Sequence, residues 1–165
     1  MANYQTSLAS NPDATPVVFN RSGKGAGYSR VLSDSVVLTG TFATNDTVEL
    51  CDIESNAVIN ELVIQVDDLG AATTDLVVGI RKLDGTVVDA DLFQTTLSAA
   101  TAIARTDIRY AVLDHNTTGQ RLYELLGLTE VDVDNPTYEL YITLTTVTTP
   151  TTDPDISFEV TFTAD

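Results

Sequence analysis

The sequence has few basic residues and a single cysteine. Lys and Arg number 8 against 24 Asp and Glu, so the 165-residue chain has a formal net charge of −16. A field of that sign repels a phosphate backbone, and we therefore expect no nucleic-acid partner. Cys51 has no second cysteine to pair with, and its apparent strand, Thr47–Ile53, offers few groups that would activate a thiol. We interpret Cys51 as a packing residue.

Long apolar runs and tryptophan are also missing. No apolar run approaches the roughly 20 residues of a membrane helix, and the first residues lack the basic and apolar regions of a signal peptide. The absence of Trp removes the usual platform for stacking sugars, which weakens a carbohydrate-binding interpretation. We expect a soluble protein that is made in a cytoplasm and does not contact a membrane.

Residues that could carry chemistry do not form a recognisable motif. His115 is the only histidine, and no nucleophile elbow accompanies it. The glycine cluster at residues 23–27 lacks the spacing of a phosphate-binding loop. Asp132 and Asp134 offer the hard oxygen ligands that calcium prefers, but their run does not match a twelve-residue calcium loop. The sequence predicts no enzyme and no cofactor, and these two aspartates are its metal candidates.

Strand patterns fill most of the chain after residue 30. Apolar residues alternate with polar ones in the two clearest strands, Tyr138–Val147 and Ile156–Phe162. Asp84-Gly85 is a strong tight-turn signal. Further strands are predicted at Val36–Phe42, Thr47–Ile53, Ala57–Val66 and Thr74–Arg81.

Helix signals are scarce. Thr118–Gly127 could form two turns closed by Gly127, and Asp91–Ala104 is ambiguous. Short strands without a βαβ rhythm favour an all-β fold. We predict an antiparallel β-sandwich of jelly-roll type, with an extended N-terminal arm and at most one or two short helices.

Residues 1–30 are predicted to be an extended arm, and residues 31–165 the sandwich domain. The arm is polar and contains chain breakers such as Asn11-Pro12 and Thr15-Pro16. A segment of this kind loses more ordering entropy than its own burial returns, so we expect a neighbouring chain to hold it. The predicted partner contacts are Val17, Val18, Phe19, Arg21 and Lys24.

One succession of strands suggests a family. A polar-edged strand at Thr47–Ile53 is followed by a long strand within Asn56–Gly70, by Leu76–Ile80 ending in Gly-Ile, and by the acidic segment Asp89–Phe93. Together with the two C-terminal strands, this order resembles the head decoration, or cement, proteins of tailed bacteriophages. The resemblance is a pattern of strands and brings no catalytic or ligand-binding residues with it.

The resemblance implies a virion protein on the capsid exterior that forms homotrimers and clamps the major capsid protein. Two alternatives stay open at this stage. The chain could instead belong to the neck, tail or head fibre of a phage particle. It could also be a carbohydrate-binding or calcium-dependent binding module.

Overall fold

The computed structural model describes residues 3–5, 28–39, 43–69, 75–117, 119–146 and 153–164. Within these ranges the regular elements are almost all strands. A one-turn helix, α1 (Leu122–Leu125), follows a 3-10 turn at His115–Thr117. The strands are β1 (Asn3–Gln5), β2 (Tyr28–Val37), β3 (Asp46–Glu54), β4 (Val58–Val66), β5 (Asp75–Lys82), β6 (Val87–Ser98), β7 (Ile103–Asp107), β8 (Thr137–Thr146) and β9 (Asp155–Ala164).

The strands form two sheets with the order of a jelly roll. Sheet A has the order β1-β3-β8-β5-β6, and sheet B has the order β2-β9-β4-β7. From β2 onward every pairing is antiparallel, and successive strands change sheet except at the β5–β6 hairpin. The short β1 adds to the edge of β3 in parallel. The predicted antiparallel β-sandwich is confirmed, and the strand order adds two Greek keys to it.

One hydrophobic core lies between the sheets because the strands alternate as the sequence indicates. In β9 the residues Ile156, Phe158, Val160 and Phe162 are buried, and the residues between them are half-buried. Cys51 is 1% exposed within the same core, which confirms its interpretation as a packing residue. Sheet A contributes among others Val48, Ile53, Leu76, Val78, Ile80, Leu140, Ile142 and Leu144.

Strand β6 bulges against β5 at a glycine. Val78 pairs with Gln94 whereas Ile80 pairs with Asp89, so residues 90–93 lie opposite Gly79 alone. A Cβ atom on Gly79 would lie 2.2 Å from the Asp89 carbonyl oxygen and 2.3 Å from the Ala90 carbonyl group. The missing side chain therefore permits the two backbones to approach, and Phe93 at the end of the bulge is fully buried.

Several boundaries differ from the sequence-based predictions. The strand predicted at Val36–Phe42 is displaced where it can be compared, because β2 spans Tyr28–Val37 and residues 38–39 belong to no strand, while residues 40–42 lie outside the described residues. Its Ser, Arg and Asp residues weaken the strand pattern, which an edge strand tolerates because it pairs on one side only. The helix has a single turn, and Gly127 beyond it has a positive φ of 74°. The ambiguous stretch after residue 90 belongs to β6 and β7.

The predicted arm contains two described segments. Residues 3–5 are β1, which pairs with the chain's own sheet A, and residues 28–30 begin β2. Arg30 donates a hydrogen bond to the carboxylate of Glu54 at 3.0 Å, so it already belongs to the sandwich. The boundary between arm and domain stays a prediction, because most of the arm lies outside the described residues.

Candidate functional site

Three connections meet at one end of the sandwich, which we call the loop end. They are the β3–β4 turn (55–57), the β5–β6 hairpin with the start of β6 (83–88), and the long β7–β8 connection (108–136). The Ser55 amide donates to the Pro136 carbonyl at 2.8 Å, and the Leu122 amide of α1 donates to the Ala57 carbonyl at 2.8 Å. Strand pairing of Lys82 with Tyr138 places the hairpin beside the end of the long connection.

The side chain of Arg109 joins the long connection to sheet B. It is fully buried, and its Nε donates to the Ile59 carbonyl at 2.9 Å, while Nη2 lies 3.4 Å from the Thr117 carbonyl. The guanidinium also lies 4.8 Å from the centre of the Tyr110 ring. Burial lowers the pKa of Arg109, yet an arginine stays charged at neutral pH. Arg109 thus fixes the start of the connection against β4.

Asp132 holds the second half of the same connection. Its carboxylate accepts hydrogen bonds from the amides of Asp134 and Asn135, both at 3.0 Å, and from the Asn135 side chain at 2.9 Å. The hydroxyl of the buried Tyr138 donates to it at 2.8 Å. The hydrogen bonds from Tyr138 and Asn135 lower the pKa of Asp132. The carboxylate is therefore ionised at neutral pH and acts as an acceptor within its own loop.

The metal candidates of the sequence do not form a site in the described residues. Asp132 uses its oxygens inside the loop, and Asp134 is exposed beside it. No group of three or more His, Cys, Asp or Glu side chains in the described ranges is arranged to hold a metal ion. The same ranges contain no helix long and apolar enough to cross a membrane.

The loop end carries most of the exposed apolar side chains that the structure describes. Nine large hydrophobic residues are exposed in the described ranges, and only Val31 and Val37 of the edge strand β2 lie outside the loop end. Val133 has the largest exposed fraction, 87%. The other loop-end members are Leu83, Val87, Val88, Val112, Leu128 and Val131.

A charged cluster lies on β3, β5 and β8 in sheet A. Arg81 binds the carboxylate of Glu139 through Nε and Nη2, both at 3.0 Å, and its Nη2 also donates to Glu49. Its guanidinium lies 5.1 Å from the Tyr141 ring centre. Burial raises the pKa of Glu139, although Arg81 opposes this shift. The side chains of Arg81 and Glu139 are only 12% and 9% exposed, so the cluster is largely removed from water.

The structure leaves the predicted arm contacts untested. Val17, Val18, Phe19, Arg21 and Lys24 all lie outside the described residues. Conversely, the sequence does not single out Arg109 and Arg81, because an arginine in a polar loop or at a strand end normally indicates a solvated position. The alternation of Leu76, Val78 and Ile80 places residue 81 on the side of β5 away from the core, so the sequence indicates the face of Arg81 but not its burial.

Comparisons with known proteins give structural matches only. No family model matches the sequence, and no curated protein matches it. A chain in a structure described as "Capsid of Ralstonia phage GP4" superposes with a TM-score of 0.69 at 16% identity, covering 99% of this chain and 99% of that chain. A chain of the "Cyanophage Pam1 capsid asymmetric unit" gives a TM-score of 0.51 at 17% identity, covering 92% and 96%. This chain has the same fold as both.

Proposed function

We propose that this chain is a non-enzymatic structural protein of a tailed-phage virion, and specifically a decoration, or cement, protein on the capsid exterior. The observation that carries the proposal is the full-length likeness to a chain of a phage capsid, with 99% of each chain covered. A match over both whole chains means that the two proteins share the fold along nearly their entire length. The order of strands in the sequence, which resembles that of phage head decoration proteins, agrees with this proposal.

The charge supports a place on the outside of the shell. A net charge of −16 repels packaged DNA, so the protein avoids adhering to the genome during assembly. A protein that binds the assembled lattice but not free shell subunits adds its binding free energy to that of the shell. The partners in this proposal are the major capsid protein and two further copies of this chain in a homotrimer. A trimer would bind the shell through several weak contacts at once, which together give a stronger attachment than any one of them.

The arm supplies one set of contacts in this proposal. Val17, Val18 and Phe19 would bury apolar surface on a neighbouring subunit, and Arg21 and Lys24 would pair with its carboxylates. The arm's own content of breakers and polar residues supports a contact that forms on a partner surface.

Truncation tests the proposal. Removing residues 1–27 takes the three-residue β1 from the edge of sheet A but retains all of β2, including Arg30 and its hydrogen bond to Glu54, so the eight antiparallel strands should still fold. We expect the full chain to co-sediment with shells that lack it and to raise their disassembly temperature, and the truncated chain to do neither. The variant V17S/V18S/F19S replaces only the three apolar arm contacts and keeps residues 3–5, and we expect it to bind the shells more weakly than the full chain. Failure of the full chain to bind such shells would refute the proposed function. Undiminished binding by the truncated chain would refute only the role of the arm in binding.

A further inference from the structure

The exposed surface of the loop end combines apolar side chains with carboxylates. Residues 128–134 read Leu-Thr-Glu-Val-Asp-Val-Asp, so Val131 and Val133 alternate with Glu130, Asp132 and Asp134. No lysine or arginine interrupts this segment. Over residues 108–136 the chain has five carboxylates against Arg109 and Arg121, and Arg109 is buried.

The segment is held in a fixed conformation even though its apolar side chains are exposed. Asp132 accepts hydrogen bonds from the loop backbone and from Tyr138, and the Ser55 amide fixes Pro136. On the other side, the Leu128 amide donates to the Tyr123 carbonyl at 3.0 Å, which ties the segment to α1. A surface held in this way loses little conformational entropy when a partner covers it.

The position of the hairpin enlarges this surface. Leu83, Val87 and Val88 are exposed on the β5–β6 hairpin, and the pairing of Lys82 with Tyr138 places β5, which leads into this hairpin, beside the strand that follows the segment. Scattered exposed apolar residues are normal, but a concentration at one end with a polar border is typical of a protein-binding surface.

We infer that the loop end is the surface through which the chain docks on the shell, and that its partner is a protein surface with an apolar centre bordered by Lys and Arg side chains. The inference deepens the proposed function and rests on it. Charge complementarity selects this occupant, because the border of the loop end is acidic. A second copy of this chain would bring the same acidic border against the loop end and be repelled there, which leaves the other surfaces for contacts within the proposed trimer.

Three variants separate the contributions. V131S/V133S removes the exposed apolar side chains at the centre of the segment. E130Q/D134N removes two charges of its border and keeps Asp132, which holds the loop. V31S/V37S is the matched control, because these valines are 59% and 51% exposed but lie on the edge strand β2. Unchanged melting temperatures would show that each variant folds.

The measurement is co-sedimentation of each variant with shells lacking the protein, over a series of NaCl concentrations. We expect V131S/V133S to raise Kd about tenfold or more, because burial of one valine side chain is worth at least that factor. The control should stay within about twofold, since substitutions outside an interface have small effects. Binding of the parent chain should weaken with salt, and E130Q/D134N should weaken binding and flatten this dependence.

Each other outcome has a defined meaning. If the parent chain binds shells and V131S/V133S binds equally well, the inference is overturned while the proposed function stands. If sedimentation equilibrium shows that V131S/V133S dissociates an oligomer without changing shell affinity, the occupant is a second copy and the inference is wrong. Salt that strengthens the parent's binding would likewise exclude a basic partner surface. Absence of parent binding would refute the proposed function and this inference together.

Discussion

Replacing Gly79 by alanine should destabilise the sandwich more than its size suggests. The added Cβ would lie 2.2 Å from the Asp89 carbonyl oxygen and 2.3 Å from the Ala90 carbonyl carbon and oxygen. Ordinary carbon contacts need about 3.5–4.0 Å, so β6 would have to retreat by more than about 1 Å. Backbone atoms cannot rotate away as a side chain can, and the retreat would disturb the burial of Phe93, which is fully buried after the bulge.

We expect G79A to cost about 3 kcal/mol of unfolding free energy, the upper end of the usual range for overpacking. For a domain of this size that corresponds to a drop of about 6–12 °C in Tm. Urea denaturation and a thermal melt followed by circular dichroism would measure both quantities. Gly85→Ala is the matched control, because it adds a methyl group with nothing within 4 Å and carries only the strain of a positive φ of 86°. That strain is worth about 1–2 kcal/mol. If the unfolding free energy of G79A lies within about 0.5 kcal/mol of the parent value, as for a typical surface substitution, the close approach of β6 to β5 is refuted.

Three further predictions concern buried or bonded side chains. Asp132→Asn should lower Tm at pH 7. The pKa of Asp132 is lowered in the folded protein, so its carboxylate stabilises the fold above the ordinary aspartate pKa of about 3.9, and this stability is lost on acidification. The loss of Tm in the variant should therefore shrink as the pH falls below that ordinary pKa. Asp134→Asn is its control. If thermal melts show that the Tm difference between Asp132→Asn and the parent does not shrink as the pH falls, the role of the Asp132 carboxylate is contradicted. Arg81→Met should cost about 3–5 kcal/mol in urea denaturation because it leaves carboxylates largely buried without their cation, and Glu139→Gln introduced into that variant should restore part of the loss. Burial raises the pKa of the Cys51 thiol, so a thiol reagent should label the native protein only at the rate of unfolding, and rapid labelling would place Cys51 outside the core.

The fold could be predicted from the sequence where side chains alternate without interruption. The residues Ile156, Phe158, Val160 and Phe162 indicate both the strand and its buried face, because the residues of one face lie in the core and those between them are only half-buried. In β4 the register shift between Ile59 and Glu61 changes the phase, so Ile59 is buried although it falls outside the alternation read from the sequence. Bulges depend on the partner strand, which a local pattern does not contain.

The candidate site could be predicted only in part. The acidic segment with Asp132 and Asp134 was visible, but its hydrogen bonds to Tyr138 and Asn135 arise from the folded loop. Arg109 was missed because its partner is the carbonyl of Ile59, fifty residues away in sequence. Contacts of this kind depend on tertiary structure, and nothing in the residues around Arg109 indicates that it is buried.

The copy number of this chain in purified particles tests the central claim most directly. A decoration protein binds the repeated lattice, so quantitative mass spectrometry should find this chain in a fixed ratio to the shell subunit and in comparable numbers. Treatment that strips the outer surface should release it before the shell subunits. A few copies per particle, as expected of a neck, tail or fibre component, or complete absence from the particle, would contradict the account.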